Sequence, residues 1–196
     1  MRTFRIPLRA LAALTLAVGG ALLAPAAHAP LGSKVETDMM QLRQQFNADK
    51  GKVRILLVLS PSCPSCRTGA RTVETEVFAK VRSTKLAGYI AWGPYLTGDN
   101  VTLAQVSSGL VPDPRVHHYF DARRSIGVSL TNVLGTAPLL AWDIYLAYGP
   151  DVVWTRKDLT PPKPTVYMNL KRGGTNVYFT GPAFRQRIEE LLQQAK

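Results

Sequence analysis

Cysteine is nearly absent from this sequence, which has two such residues, Cys63 and Cys66, among 196. Two cysteines can form at most one bridge within the chain, which excludes a small domain stapled by several disulfides. A closed zinc site is not expected either, because it takes about four ligands and a second Cys pair is missing. The sequence also lacks a Gly-rich phosphate loop and a Ser-His-Asp signature, so nucleotide chemistry and serine hydrolysis are not predicted.

Clustered positive charge is also missing, although the formal net charge is +11. The basic residues are scattered along the chain, and no five of them are consecutive. This pattern indicates a solvated basic surface. We expect no nucleic-acid partner, since a stacked aromatic motif is missing as well. An acidic partner or an anionic membrane surface stays open.

The N-terminal segment is typical of a signal peptide. Three arginines precede the apolar residues 11–23, and small-x-small sequences end at Ala26 and Ala29. Cleavage after Ala26 is favoured, because a cut after Ala29 would leave Pro30 first. An uncleaved membrane anchor is the alternative, but the apolar stretch is shorter than the ~20 residues that a spanning helix needs. We therefore predict a signal peptide over residues 1–29 and a periplasmic or secreted protein.

The remaining residues, 30–196, contain no second apolar run long enough to span a membrane. Their length fits one domain with a single core, and we expect a monomer. Cys63 and Cys66 are able to bridge in an oxidising compartment, but cysteines three positions apart close a very short loop and so stabilise little. The pair is therefore interpreted as chemical rather than structural.

The pattern of apolar residues predicts alternating helices and strands. The predicted helices cover residues 36–47, 64–82, 100–107 and 125–134, with a last one opened by Pro182. The predicted strands cover residues 53–59, 89–92, 116–120, 139–148, 152–154 and 165–170, and the fourth and fifth are expected to form a hairpin. This order indicates an α/β protein.

The Cys-Pro-Ser-Cys motif comes a short turn after the apolar strand 53–59 and opens a predicted helix. Pro64 suits the first turn of a helix, where its missing N–H costs nothing. Cys63 then lies at the positive end of the helix, where a thiolate is favoured. Cys66 follows one turn later. A thiolate nucleophile with a second thiol close by is what disulfide exchange requires.

The order of elements, with Cys-x-x-Cys at the end of the first sheet strand, resembles the thioredoxin fold over residues 36–195. The sequence is also similar to exported bacterial thioredoxin-like proteins with a Cys-Pro-Ser-Cys centre. The resemblance implies a three-layer α/β/α sandwich with a central mixed sheet and an insertion between the second strand and the later hairpin. It also implies that Cys63 is the nucleophile, that Cys66 resolves, and that Pro138 is a cis-proline opening a hairpin strand and shaping the substrate groove.

Three departures from that family are visible in the sequence. Ser62 stands where the family has an aromatic residue, and Leu57 stands where many members have a buried acid. Asp143 is a candidate replacement for that acid, although a solvent-facing place on an edge strand is the favoured expectation. The stretch around residues 95–121 is longer than in a minimal thioredoxin and is predicted to form a lid or a partner surface.

The sequence thus predicts an exported thiol–disulfide oxidoreductase without cofactor or metal, acting on protein thiols or disulfides and restored by a redox recycling partner. Two alternatives stay open. One is copper(I) held by Cys63, Cys66 and either His117 or His118, since thiolates favour that ion. On a strand these adjacent histidines point to opposite faces, so one at most can approach the cysteines. The other is a partner-docking module that performs no turnover.

Overall fold

The computed structural model describes residues 33–170 and 177–195. The predicted signal peptide lies outside the described residues and stays a prediction. Within the part that is described, none of the helices has the length and apolar character needed to span a bilayer.

The described residues form five α-helices and seven strands. The helices are α1 (Met39–Ala48), α2 (Pro64–Val73), α3 (Val101–Ser108), α4 (Ser125–Leu134) and α5 (Gly181–Leu192). The strands are β1 (Val35–Glu36), β2 (Val53–Leu59), β3 (Leu86–Trp92), β4 (Val116–Phe120), β5 (Ile144–Tyr148), β6 (Val166–Asn169) and β7 (Val177–Tyr178). A π-helical turn, Glu74–Phe78, continues α2.

The strands of the described chain make one mixed sheet in the order β1-β4-β3-β2-β5-β6-β7. β2, β3 and β4 run parallel, whereas β5 is antiparallel to both β2 and β6. A parallel β-α-β unit followed by an antiparallel strand pair and a final helix is the thioredoxin topology. The predicted fold class is therefore confirmed.

Helices cover both faces of the sheet, as a three-layer sandwich requires. Alternate residues of β2 enter two separate cores, Ile55 and Leu57 on one face and Leu56 and Val58 on the other. The first core is closed by α2, the π-helical turn and α5, and the second by α1 and α4. All seven residues of β2 are buried, which is typical of a central strand.

The longer segment after β3 is an added α3–β4 unit within the sheet. β4 pairs with β3 along its length, from Gly88 opposite Val116 to Trp92 opposite Phe120, and it separates β3 from the edge strand β1. The segment is therefore part of the sandwich and not a detached lid. Its first loop nevertheless contacts the cysteine motif, as described below.

The predicted hairpin of residues 139–148 with 152–154 is wrong. The strand begins only at Ile144, and its partner is β6. Residues 152–154 form no strand. The Arg54 guanidinium of β2 instead donates to the carbonyls of Gly149, Pro150 and Val152, just after β5. A buried cation, and not a strand, therefore organises the chain after β5.

Two helix boundaries also differ from the predictions. The first helix begins at Met39 and not at Glu36, because Asp38 is the N-cap and accepts from the Met40 N–H. The helix predicted to reach residue 82 is α-helical only to Val73 and then widens into the π-helical turn. Apolar spacing alone does not distinguish these two helical forms.

Candidate active site

The two cysteines lie shortly after β2, at the start of α2. Cys63 is the N-cap residue of α2, and Pro64 follows in the first helical turn. Both cysteines are free in this structure, Cys63 being 7% exposed and Cys66 fully buried at 0%. Cys63 therefore lies at the positive end of the helix, whereas Cys66 lies one turn further along it.

Asp99, in the loop after β3, holds the turn that presents the motif. Its carboxylate accepts from the Ser60 hydroxyl at 2.8 Å, the Ser62 N–H at 3.0 Å and the Leu96 N–H at 2.8 Å. Burial opposes its charge, but the donors from Ser62, Leu96 and Ser60 outweigh it, so the pKa of Asp99 is lowered. The carboxylate thus stays charged and ties the inserted segment to the motif.

The N-cap of α3 is Asn100, whose side chain accepts from the Leu103 N–H at 3.0 Å. The inserted helix α3 supports the motif a second time. Arg67 donates to the Ser107 hydroxyl of α3 at 2.8 Å and to the Pro61 carbonyl at 3.3 Å. The insertion therefore braces the active-site turn from behind.

Asp143 places a buried carboxylate against the motif. It is 3% exposed and precedes β5, with its N–H bonded to the Val58 carbonyl at 2.8 Å. Its φ of 57° lies in the left-handed region, which Asp tolerates better than most residues. The expectation that Asp143 faces solvent is thus wrong. The Cys63, Cys66 and Asp143 side-chain ligand atoms lie within 4.8 Å of one another.

Ser65 connects this carboxylate to Cys63. Its hydroxyl lies 3.0 Å from the Cys63 Sγ and 3.0 Å from the Asp143 Oδ2. The other carboxylate oxygen, Oδ1, accepts from the Tyr145 hydroxyl at 3.2 Å. Neither Ser65 nor Tyr145 is predicted as a site residue from the sequence, because their contacts depend on where the fold places Asp143.

Cys66 is held as a thiol. Burial raises the pKa of its sulfur, and the Asp143 carboxylate adds to that increase. The Ser60 N–H donates to the sulfur at 3.4 Å and opposes the increase without cancelling it. A protonated, buried second thiol suits a group that reacts after the first one.

Gly69 of α2 makes the approach of Tyr145 possible. A Cβ at Gly69 would lie 1.7 Å from the Tyr145 hydroxyl oxygen. The ring is fully buried and stacks on Phe179, with 3.7 Å between ring centroids. Burial first, and then the Asp143 carboxylate, raise the pKa of Tyr145, so its hydroxyl remains a donor. This close contact has no signal in the sequence beyond the glycine itself.

The Ala137–Pro138 bond is cis, as expected. Pro138 does not open a strand, however: it lies in an exposed turn after α4, and β5 starts six residues later at Ile144. At the end of β2 it is Asp143 that bonds the Val58 carbonyl. A role for Pro138 in shaping a substrate groove stays a prediction.

The two histidines are engaged away from the cysteines. His118 accepts at Nδ1 from the Trp92 indole at 3.3 Å, so the Nε2 proton is the one donated to the Val111 carbonyl at 3.0 Å. Burial lowers the pKa of His118 to about 4. His117 stacks on Tyr89. Within residues 33–170 and 177–195 no histidine joins the cysteine cluster, so the structure does not support a Cys-Cys-His copper site.

No family model and no curated protein sequence matches the chain. Among solved structures, the chain is similar to the MTB DsbF protein, with 15% identity, 74% of this chain and 84% of that chain covered and a TM-score of 0.44. It is similar to a secreted Mycobacterium tuberculosis disulfide oxidoreductase homologous to E. coli DsbE, with 13% identity, 73% and 84% covered and a TM-score of 0.45.

A thioredoxin-like protein in the oxidised form is similar at 14% identity, with 85% of this chain and 94% of that chain covered and a TM-score of 0.47. Likeness at this level carries no argument about chemistry. The assignment of a thioredoxin-like fold rests on the strand order and on the place of Cys63 and Cys66 between β2 and α2.

Proposed function

We propose that this protein is a thiol–disulfide oxidoreductase that exchanges disulfides with protein substrates through Cys63 and Cys66. One observation carries the proposal: in a thioredoxin-like sheet, Cys63 is the N-cap residue of a helix, and a second, fully buried cysteine lies one turn on. The first position favours a thiolate, and the second keeps a thiol within reach of the first.

In the reducing direction, the Cys63 thiolate attacks one sulfur of a substrate disulfide. The substrate S–S bond breaks, a mixed disulfide forms, and the leaving substrate thiolate takes a proton. Cys66 then loses its proton and attacks Cys63, which releases the second substrate thiol and leaves Cys63–Cys66 oxidised. The reverse sequence donates a disulfide. A recycling partner must restore the pair in either direction.

The proposal extends to the setting of this chemistry. Residues 1–29 direct export, so the substrates are protein thiols or disulfides in the periplasm or outside the cell. An extended substrate segment lies beside Pro138, as in strand addition. The neighbouring Leu139, which is 72% exposed, supports an apolar contact there. The protein acts as a monomer and holds no cofactor.

The test is exchange with a model protein disulfide by two cysteine variants. Cys63→Ser should abolish turnover, because the attacking sulfur is gone. Cys66→Ser should accumulate a mixed disulfide through Cys63, because the resolving thiol is gone. Thr68→Ala, at an exposed position of α2, is the matched control and should retain turnover. Wild-type turnover by either cysteine variant would overturn the proposal, and partner binding that survives loss of both cysteines would identify a docking module instead.

The direction of exchange follows from the reduction potential of the pair, measured by equilibration with glutathione buffers and thiol alkylation. A value near about −120 mV identifies a disulfide donor, and one near about −270 mV identifies a reductant that requires electrons from its recycling partner.

A further inference from the structure

At the N-terminus of α2, the Ser65 hydroxyl lies between the Cys63 sulfur and the Asp143 carboxyl group and has one hydrogen to share between them. The Ser65 hydroxyl lies 3.0 Å from the Cys63 Sγ and 3.0 Å from the Asp143 Oδ2. A hydroxyl donates one hydrogen bond but accepts two. Ser65 can therefore donate to the sulfur or to the carboxylate, and it must accept from the other group.

Two arrangements satisfy both contacts. In the first, the Cys63 thiol donates to Ser65, and Ser65 donates to the Asp143 carboxylate. In the second, protonated Asp143 donates to Ser65, and Ser65 donates to the Cys63 thiolate. The two differ by a concerted shift of two protons along the chain. Each keeps both hydrogen bonds and a net charge of one negative unit on the three groups.

We propose that Ser65 relays the proton of Cys63 to Asp143, so that the carboxylate is the base that receives the proton of the nucleophile. This inference rests on the proposed function and assigns two further residues to it. Asp143 and Cys63 are buried, at 3% and 7% exposure, and the exposed Ser65 bonds both of them. Tyr145 occupies the Oδ1 oxygen and leaves Oδ2 to receive the proton.

The proton that leaves Cys63 is used again within the first exchange step. The thiolate attacks one sulfur of a substrate disulfide, the Cys63–substrate bond forms, and the substrate S–S bond breaks. The proton held by Asp143 returns through Ser65 to the leaving substrate thiolate. Asp143 is then ionised again while Cys66, whose sulfur lies within 4.8 Å of it, still carries its own proton.

The groups that surround Cys63 and Asp143 are either neutral or bonded elsewhere. The other titratable or charged groups around them are Cys66 and Arg67 of α2, Tyr145 of β5, and Tyr95 and Asp99 of the loop after β3. Burial raises the pKa of Cys66, Tyr145 and Tyr95, so these stay neutral. Arg67 and Asp99 are bonded to the turn and to α3.

The experiment measures the rate of iodoacetamide alkylation of Cys63 in the reduced protein against pH, by mass spectrometry of the modified peptide. A shared proton gives a two-step profile with a plateau at low pH, because the state with ionised Cys63 and protonated Asp143 has a constant population between the two steps. Asp143→Asn cannot take the proton and should give a single step without a plateau.

Variants of the serine separate relay from electrostatics. Ser65→Ala should lower the plateau about tenfold or more, the size of a one-unit coupling. Ser65→Thr, which keeps the hydroxyl, should retain the plateau, as should the matched control Thr68→Ala at an exposed position of α2. Circular dichroism confirms folding of each variant.

A single step in the wild type, or an Asp143→Asn profile that keeps its shape and moves to lower pH, would overturn the relay. The proposed function is tested separately by the turnover of Cys63→Ser. If Cys63→Ser loses turnover but the Asp143→Asn and Ser65→Ala profiles match the wild type, the relay is contradicted and the proposed oxidoreductase function is retained.

Discussion

The two ends of β2 both bury polar groups, and they do so in different ways. At the start of the strand, Arg54 is fully buried, and each of its five N–H donors meets a backbone carbonyl. The acceptors are the carbonyls of Phe46, Lys52, Gly149, Pro150 and Val152. The ring of Phe46 also lies under the guanidinium, 4.5 Å from its carbon.

At the other end, the groups around Cys63 have fewer hydrogens than acceptor sites. Two thiols, one hydroxyl and one carboxylate meet there, and a single Ser65 hydrogen serves both Cys63 and Asp143. The comparison shows how burial can serve two purposes. Every N–H of Arg54 is bonded to a neutral carbonyl, so the hydrogens at that end of β2 have one arrangement. At the Cys63 end, the Ser65 hydrogen has two arrangements, which suits proton transfer.

The largest effect is expected from Arg54→Met. The apolar side chain removes all five N–H donors of Arg54, although the Gly149 and Pro150 carbonyls keep backbone donors, and breaking such a set costs about 3–5 kcal/mol of the free energy of unfolding. The measurement is denaturant unfolding, with exposed Arg71→Met as the control. The alkylation profile of Cys63 should not change. A loss below about 1 kcal/mol would contradict the structural role assigned to Arg54.

The next effect is a pH dependence of stability that comes from His118 of β4. Arg54 stays charged from about pH 4 to 7. His118 of β4 has its pKa lowered to about 4 by burial, so as pH falls the unfolded chain is protonated first. Its stabilising effect is therefore complete above about pH 6.5 and is lost toward pH 4, about 2 kcal/mol between pH 7 and 5.

Urea unfolding at the two pH values measures that loss. His118→Gln should remove most of the pH dependence, whereas His117→Gln, a change at the neighbouring residue of the same strand, should retain it. Equal slopes for the wild type and His118→Gln would assign the dependence to other groups.

The smallest effect is expected from Gly69→Ala at the Cys63 end. The added methyl group overlaps the Tyr145 hydroxyl, and displacing a packed ring costs about 1–3 kcal/mol, offset by about 1 kcal/mol from the better helix propensity of Ala. We expect a net loss of about 1 kcal/mol in unfolding experiments. Thr68→Ala, at an exposed position of α2, is the control. A stabilised Gly69→Ala variant would mean that this end is loosely packed.

Local sequence patterns predicted most of the helices and strands of the fold. The bounds of β2, β4 and α4 agree with the predicted residues 53–59, 116–120 and 125–134. The predicted strand 139–148 was too long because its apolar residues continue past the point where Asp143 turns to a positive φ. The inserted segment was noticed, but its place as a sheet strand depends on pairing with β3, which no local pattern encodes.

The sequence by itself determined the central strand, the helix start at Pro64 and the one-turn spacing of Cys63 and Cys66, because these depend on neighbours along the chain. Only the tertiary structure decided what surrounds the sulfurs. Leu57 stands where the family places its acid, and the fold brings the Asp143 carboxylate to Ser65 across 78 positions of sequence. This contact forms only when β5 pairs with β2, because that pairing brings Asp143, just before β5, to the end of β2 and the start of α2.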